Sequence, residues 1–518
     1  MRSPSSILTS GARAAYVHLP FCRRRCFYCD FPVVVVGDTP ADSFADRYIR
    51  LLHREIAAGP EQQDGAAALT SVYFGGGTPS LTPPALLGRV IDALRKRFGL
   101  APDCEMTLEM DPGTFDRERL EAFIDLGVTR VSLGAQSFDD ALLHACNRPH
   151  SVSDTEVALE LLMATQTLAE APLEVSVDLI GGLPGQTMGS WRASLERAAG
   201  CGAGHVSVYD LQVEPLTAFG KWFDQGSLTL PGEEVAADMF RVASHTLRSH
   251  GFDHYEVSSY ARPGKRCIHN RAYWRNAPFY AYGLGATSHI DQRRLARPRV
   301  MKQYEGFVDR LELSGWPAVQ EADGLLETGQ EALTTALMLS LRTDCGVDLD
   351  ELRASYPDNG IGDAAAAACV AAASELPKEW ISLQGIPTSG EDSNVSGGED
   401  SNVKGGDGSD VIGGDGSDGD GHAASQAGGG RVVLSSPEGF LFSNEVRDSC
   451  HHHPHPHPHA PTAHHPPPTT RLYLHLLTWT TPHAPPIATL TTTLTPHPRT
   501  PVHTHRQLSV PSCARFVR

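Results

Sequence analysis

The chain has 518 residues, room for two or three domains, with 41% hydrophobic residues and a formal net charge of −18. That acidity argues against a nucleic-acid or anionic-membrane binder, both of which need a basic surface, and no apolar run approaches the roughly 20 residues of a spanning helix. Eleven cysteines, odd in number and mostly isolated, fit a reducing compartment better than a secreted disulfide framework.

Residues 1–13 form a short N-terminal segment. MRSPSSILTSGARAA has Ser, Arg and Ala and no acid, the flavour of an organellar transit peptide. The expected location is cytoplasmic or organellar (mitochondrion or plastid), not secreted. From residue 14 to about 295, apolar strands alternate with amphipathic helices. Strands are expected at 14–18, 71–74, 105–109, 129–133, 174–180 and 205–209, each short and rich in β-branched or aromatic residues. The segment 83–98 carries Leu86, Leu87, Val90, Ile91, Leu94 and Phe98 on one helical stripe, with Pro83 and Pro84 at its start. Six strand–helix repeats imply a parallel sheet with helices outside, an α/β fold curled into a partial TIM-like (β/α)6 barrel. In such a barrel, chemistry sits on the loops after the strands' C-terminal ends.

Residues 296–449 read as a smaller C-terminal domain. Helices are expected at 331–341, 347–356 and 363–374. A strand pair at 431–435 and 440–444 is separated by Ser436-Pro437-Glu438-Gly439, a turn composition. Helices followed by a hairpin suggest a winged-helix-like module without a basic recognition helix. Within it, 385–430 is a Gly/Asp/Ser-rich insertion with octads beginning at Glu391, Glu399, Asp407 and Asp415, expected to be flexible and self-repelling. The tail, 450–518, is rich in His, Pro and Thr and cannot form a core; such tracts can bind transition metals loosely.

The densest chemistry follows the first strand, where Cys22, Cys26 and Cys29 stand at C-x3-C-x2-C in HLPFCRRRCFYCDF. A structural zinc site wants four ligands, whereas three thiolates can hold an iron–sulfur cubane with one iron left open to a small molecule. The competing plain readings are a zinc knuckle short of a ligand or three buried thiols. Further motifs stand at successive strand ends. They are YFGGGTP (Gly75, Gly76, Gly77, Thr78), TLEMDP (Glu109), SLGAQSF (Gln136) followed by Asn147-Arg148, and DLIGGLPGQT (Asp178). Three glycines allow a backbone to approach a ligand closely, and a polar residue at one strand end is as often structural as functional. LQVEPLT, YEVSSYARPG and CIHNRAYW come later, the last containing His269, Asn270, Tyr273 and Trp274, and GLGATSH follows.

In this order these motifs resemble the radical S-adenosylmethionine (SAM) superfamily, in the branch of the HemW-like haem chaperones and the oxygen-independent coproporphyrinogen III oxidases. The resemblance covers about 14–356 and 431–446. It implies a [4Fe–4S] cluster on Cys22, Cys26 and Cys29, and SAM held on the open iron and cleaved reductively. Cofactor contacts would come from Tyr16, Tyr28, Gly76, Gly77, Thr78, Glu109, Gln136, Arg148 and Asp178. It also implies haem as cargo at His269, Asn270, Tyr273 and Trp274, where His269 could be an axial ligand and the aromatics could stack on a porphyrin. The oxidases carry a fourth cysteine where this chain has Phe31, and a longer N-terminal arm; here 21 residues precede Cys22. Both differences favour a haem chaperone, with SAM-dependent oxidative decarboxylation of coproporphyrinogen III as the alternative. Implied partners are haem or a porphyrin, haem-accepting proteins and an electron donor, without nucleic acid or stable membrane insertion; a homodimer is the default.

Overall fold

The computed structural model describes residues 11–38, 42–61, 67–166, 173–357, 360–385, 430–435 and 437–440. Six strands form where the sequence places them: β1 (Ala14–Leu19), β2 (Leu69–Gly76), β3 (Leu100–Met110), β4 (Arg130–Gln136), β5 (Glu174–Gly181) and β6 (His205–Asp210). They lie parallel in that order, and β7 (Phe279–Tyr282), not singled out from the sequence, pairs parallel with β1. Antiparallel strands lengthen both edges: Ser259–Ala261 and Asp253–Glu256 beyond β6, and Thr287–Ile290, Arg293–Ala296 and Leu325–Leu326 beyond β7. The sheet therefore keeps two edges, a partial barrel rather than a closed one.

Period-two alternation assigns the two faces. Val72 and Phe74, Met106 and Leu108, Val131 and Leu133, Val175 and Val177, and Val206 and Val208 all enter one apolar core with the covering helices. Among those helices are Asp42–Ala58, Pro84–Phe98, Val152–Gln166, Met188–Gly200 and Glu233–Ser249. The intervening residues are polar and face inward: Ser71 and Tyr73, Glu105, Thr107 and Glu109, Arg130 and Ser132, Ser176 and Asp178, His205 and Ser207. Local signals set the helix ends. Pro84 opens its helix at a position that needs no N–H, and Gly99, at φ 67°, follows the helix ending at Phe98. Thr187 and Ser190 form a reciprocal cap on Met188–Gly200.

One ion pair ties the far edge of the sheet to the first helix. Arg297 Nε donates to Glu55 Oε1 at 2.7 Å with both side chains fully buried. Tyr304 Oη and the Gly283 N–H donate to Glu55 Oε2 at 2.6 and 2.8 Å. Arg297 also donates to Ser288 Oγ and the Leu295 carbonyl, and lies over the rings of Phe307 and Trp316. The sheet and helix Met301–Ser314 thus extend the barrel body beyond the expected boundary at 295, since that helix meets Asp42–Ala58 through Arg54, Asp309 and Glu312.

The C-terminal module contains helices Gly329–Ser340, Leu349–Ser355 and Ile361–Ser374 beside a sheet in the order Val347–Asp348, Arg431–Leu434, Ile381–Gln384. The expected pairing of 431–435 with 440–444 is corrected. Strand 431–434 pairs instead with Ile381–Gln384. The Gly439 N–H bonds back to the Ser435 carbonyl, and residues 438–440 turn as a helix that buries Phe440; 441–444 lie outside the described residues, as does the tail. The insertion therefore connects the two strands of a hairpin. Closing a hairpin over 386–429 rather than over four residues costs about 2 kcal/mol more by chain-length scaling. Replacing 386–429 with a four-residue turn is expected to stabilise the protein by about that amount in urea titration; an unchanged or lower midpoint would show that the segment contributes contacts.

Phe240, Val257 and Trp274 of the barrel body share a core with this module, and Arg241 forms a two-point ion pair with Glu438. No helix among the described residues is long and apolar enough to cross a membrane.

Candidate functional site

At the end of β1 the chain leaves the sheet as a loop that carries the three cysteines. Phe21–Cys22 runs parallel to Val34–Val35, and the Val34 and Val36 N–H groups bond to the Pro20 and Cys22 carbonyls. Farther along the loop, the Phe27 N–H is anchored on the Cys146 carbonyl. All three thiols are free. Burial pushes the Cys29 thiol up to about 12 and the Cys22 thiol well above its usual range. Such groups become thiolates only where positive charge compensates them, and some is in place. The buried Arg148 guanidinium donates to Cys26 Sγ at 3.4 Å, Tyr28 Oη at 3.3 Å, Asp111 Oδ1 at 2.7 Å and the Gly134 carbonyl at 3.0 Å. Thr78 Oγ1 stands 3.8 Å from Cys22 Sγ and 3.3 Å from Asp111 Oδ2. Among the described residues no group of three or more His, Cys, Asp or Glu side chains is already gathered as for a single metal ion. Three soft sulfur donors beside a buried cation suit a polynuclear iron–sulfur group.

Packing alone already requires glycine in the turn after β2. A Cβ on Gly76, whose φ is 114°, would lie 2.4 Å from the His18 ring, and one on Gly77 would lie 2.6 Å from the Phe21 carbonyl. One on Gly75 would meet Tyr73, Tyr16 and Glu109 at 2.9 to 3.1 Å. These glycines let the turn pass beneath the cysteine loop, where the Gly77 and Thr78 N–H groups bond to the Leu19 and Phe21 carbonyls. A side chain at any of the three would collide with protein already in place.

Around this mouth the structure gathers the strand-end residues. Glu109 accepts from the Gly76 N–H and from Tyr73 Oη, each at 3.0 Å. Asp178 accepts from Ser132 Oγ at 2.8 Å and Ser176 Oγ at 3.3 Å. Tyr16 stacks on Tyr73 and bonds to His18 Nδ1 at 3.1 Å, while His18 Nε2 bonds to the Pro32 carbonyl. Gln136 takes a positive φ of 64° at the end of β4, where Gly134 leaves room between Asp111 and the Gln136 amide. Tyr73, His18 and Asp111 are functional candidates that sequence reading passed over. Each lies two residues from a position already singled out, on the same inward face, and the alternation could have found them.

Burial raises three carboxyls: Glu109 to about 8, Glu256 to about 7 and Asp178 to about 6. In the folded chain they hold protons at pH values where the unfolded chain has released them. Stability is therefore full below about pH 4.5 for these groups and is lost as pH rises through 6 to 8. For the cofactor-free protein, the urea midpoint is expected to fall between pH 6 and pH 9 by on the order of 2 kcal/mol of stability. Glu256→Gln should flatten part of that slope; a midpoint that rises with pH would contradict the assignment.

His269, Asn270, Tyr273 and Trp274 are not at this mouth. Their helix, Ile268–Trp274, closes the opposite end of the barrel. Glu105 Oε1 accepts from the Ile268 and His269 N–H groups at 2.8 and 3.1 Å, and Glu105 Oε2 pairs with Arg130 Nε at 2.9 Å. His269 is fully buried, with Nδ1 on Ser71 Oγ and Nε2 on Tyr273 Oη, both at 2.9 Å. Burial holds it neutral, lowered to about 3. Tyr273 packs edge-on against Phe279, Trp274 is enclosed in the C-terminal module's core, and Asn270 is half-buried. Both imidazole nitrogens of His269 have hydrogen-bond partners here, and about 16 Å of strand, five residues of β2, separates Ser71 from the cysteine end.

A profile of the Radical SAM superfamily matches residues 16–198. The chain is similar to a heme chaperone HemW of Synechocystis sp., 44% identical over 341 residues, covering 65% of this chain and 80% of that one. It is also similar to a mitochondrial radical S-adenosyl methionine domain-containing protein 1 of Bos taurus, 36% identical over 356 residues, covering 66% and 76%. Among solved structures, coproporphyrinogen III oxidase (HemN) from Escherichia coli aligns with TM-score 0.58 at 21% identity over 71% of this chain and 84% of that one, a likeness of fold.

Proposed function

This chain belongs to the HemW family of haem chaperones within the radical SAM superfamily, and from that membership we propose that it binds haem and passes it to haem-requiring proteins. The observation that carries the reading is the cysteine loop, three free thiols at the barrel mouth with Arg148 against Cys26 and Phe31 at the fourth cysteine's place. Cys22, Cys26 and Cys29 would hold a [4Fe–4S] cluster. Glu109, Asp178, Gln136 and the Gly76–Thr78 turn would hold SAM beside it. When bound, the two together supply one-electron reductive chemistry.

The chain's own residues prepare the place. Arg148 and Thr78 fix Asp111 and the sulfur atoms they touch. Tyr73 and the Gly76 N–H hold both oxygens of Glu109, and Ser132 and Ser176 hold Asp178. A haem acceptor and an electron donor are the partners this function requires, and residence in an organelle accords with the mitochondrial label of the bovine relative. Anaerobic reconstitution followed by haem titration tests the proposal. Stoichiometric haem binding with transfer to an apo-haemoprotein is expected. Turnover of coproporphyrinogen III with SAM consumption would overturn it in favour of the oxidase.

A further inference from the structure

The two hydrogen-bond partners of the His269 ring are not equivalent. We propose that Ser71 is a positioning residue that keeps Nδ1 on the barrel wall, and that the Tyr273 hydroxyl holds Nε2 in place of a haem iron, which takes that nitrogen when the hydroxyl leaves. This deepens the haem-binding reading above and rests on it, with His269 as the iron ligand that the resemblance implies.

Ser71 is fixed. It lies in β2, in register with Ala14 of β1 and Glu105 of β3, and is 1% exposed. Its Oγ stands 2.9 Å from His269 Nδ1. That nitrogen therefore faces the sheet, where a macrocycle has no approach. The ring is held in orientation as well. Tyr73, two residues along β2, packs on it with centroids 5.2 Å apart at 31°, and Glu105 Oε1 accepts from the His269 N–H at 3.1 Å.

Nε2 lies across the ring, 2.9 Å from Tyr273 Oη. Tyr273 stands one turn farther along the same short helix, Ile268–Trp274, and meets the imidazole edge-on at 4.8 Å. Neighbours of His269 on that helix reach solvent: Ile268 is 45% exposed, and Arg271 and Ala272 are partly so. The movable partner is thus the tyrosine, on a seven-residue helix, and not the serine within the sheet.

The two contacts suit a metal ligand. A ligating histidine donates its other ring N–H to a fixed acceptor, which sets the tautomer and raises the basicity of the ligating nitrogen. With Ser71 Oγ accepting from Nδ1–H, the Nε2 lone pair is left to accept from the Tyr273 hydroxyl. Ligation exchanges that hydrogen bond for an Fe–N bond, and no proton or electron is transferred.

The test is haemin titration of the reconstituted full chain, read by Soret absorbance and haem reduction potential, with bound iron, sulfide and SAM affinity measured on every variant. Ser71→Ala is expected to raise the haem Kd about tenfold or more and to raise the haem potential, because the imidazole becomes a poorer donor. Tyr273→Phe is expected to lower the Kd by about two- to tenfold, the worth of one hydrogen bond. Iron, sulfide and SAM affinity should stay at wild-type levels in both. A gain of affinity cannot come from misfolding, so Tyr273→Phe carries the test even if Ser71→Ala is unstable. Weaker haem binding by Tyr273→Phe with its cluster intact would overturn the proposal. So would wild-type Kd and potential in Ser71→Ala, or wild-type Kd in His269→Ala. Absence of haem binding by the wild-type chain would instead overturn the haem-chaperone reading itself.

Discussion

Replacing Cys26 with alanine is expected to leave the reconstituted protein without its cluster, lowering bound iron and sulfide and the associated charge-transfer absorbance by about tenfold or more. Cys26 is the thiol that Arg148 approaches, so the same loss should follow in weaker form from Arg148→Leu. That variant keeps all three sulfurs but removes the buried guanidinium shared by Cys26, Tyr28 and Asp111. Supporting groups of this kind are worth roughly 10- to 100-fold in metal affinity. Cys146→Ser is the informative control. Its backbone carbonyl anchors Phe27, yet its thiol has no ligand role here, so iron content should stay near wild type. Equal iron loss in Cys146→Ser would mean that the loop, and not the three sulfurs, had been measured.

The second large effect is on the fold rather than on the cluster. Glu55→Ala strands the Arg297 guanidinium where no solvent reaches it and also removes the acceptor for Tyr304 and the Gly283 N–H. Breaking a buried pair from one side costs about 3–5 kcal/mol, enough to consume much of an ordinary domain's stability. Urea or thermal unfolding of the cofactor-free protein reads it. Replacing both partners, Glu55→Leu with Arg297→Met, should recover most of the loss, because an apolar pair of similar volume avoids desolvating two charges. A single substitution costing under about 1 kcal/mol would show that water reaches the site.

Much of the fold could be read from alternation. In β2, Ser71, Tyr73 and Gly75 alternate with Val72 and Phe74, and β3 to β6 repeat the pattern with acids, serines and histidine on one face. That polar face is itself the mark of an interior that holds ligands rather than a packed core. β7 escaped notice because Phe-Tyr-Ala-Tyr is four residues long and follows a loop without helical spacing. The hairpin partner Ile381–Gln384 escaped because its mate is separated from it by the insertion, and sequence proximity favoured the segment after 435. The cysteine triplet and the strand-end motifs located one end of the barrel correctly, since a loop that follows a strand must emerge at that strand's end. The position of His269 had no such constraint. A helix between strands can close either end, and only the partners of Glu105 decide which. The glycine turn shows the same limit, because a missing Cβ does not say whether protein or ligand occupies its place.

The helix that closes the barrel through Glu105, His269 and Tyr273 has a kinetic consequence. With that end closed, a small molecule bound among the inward carboxylates would come and go at the cysteine end or past the sheet's open edges, and its off-rate should not respond to substitutions on the closing helix.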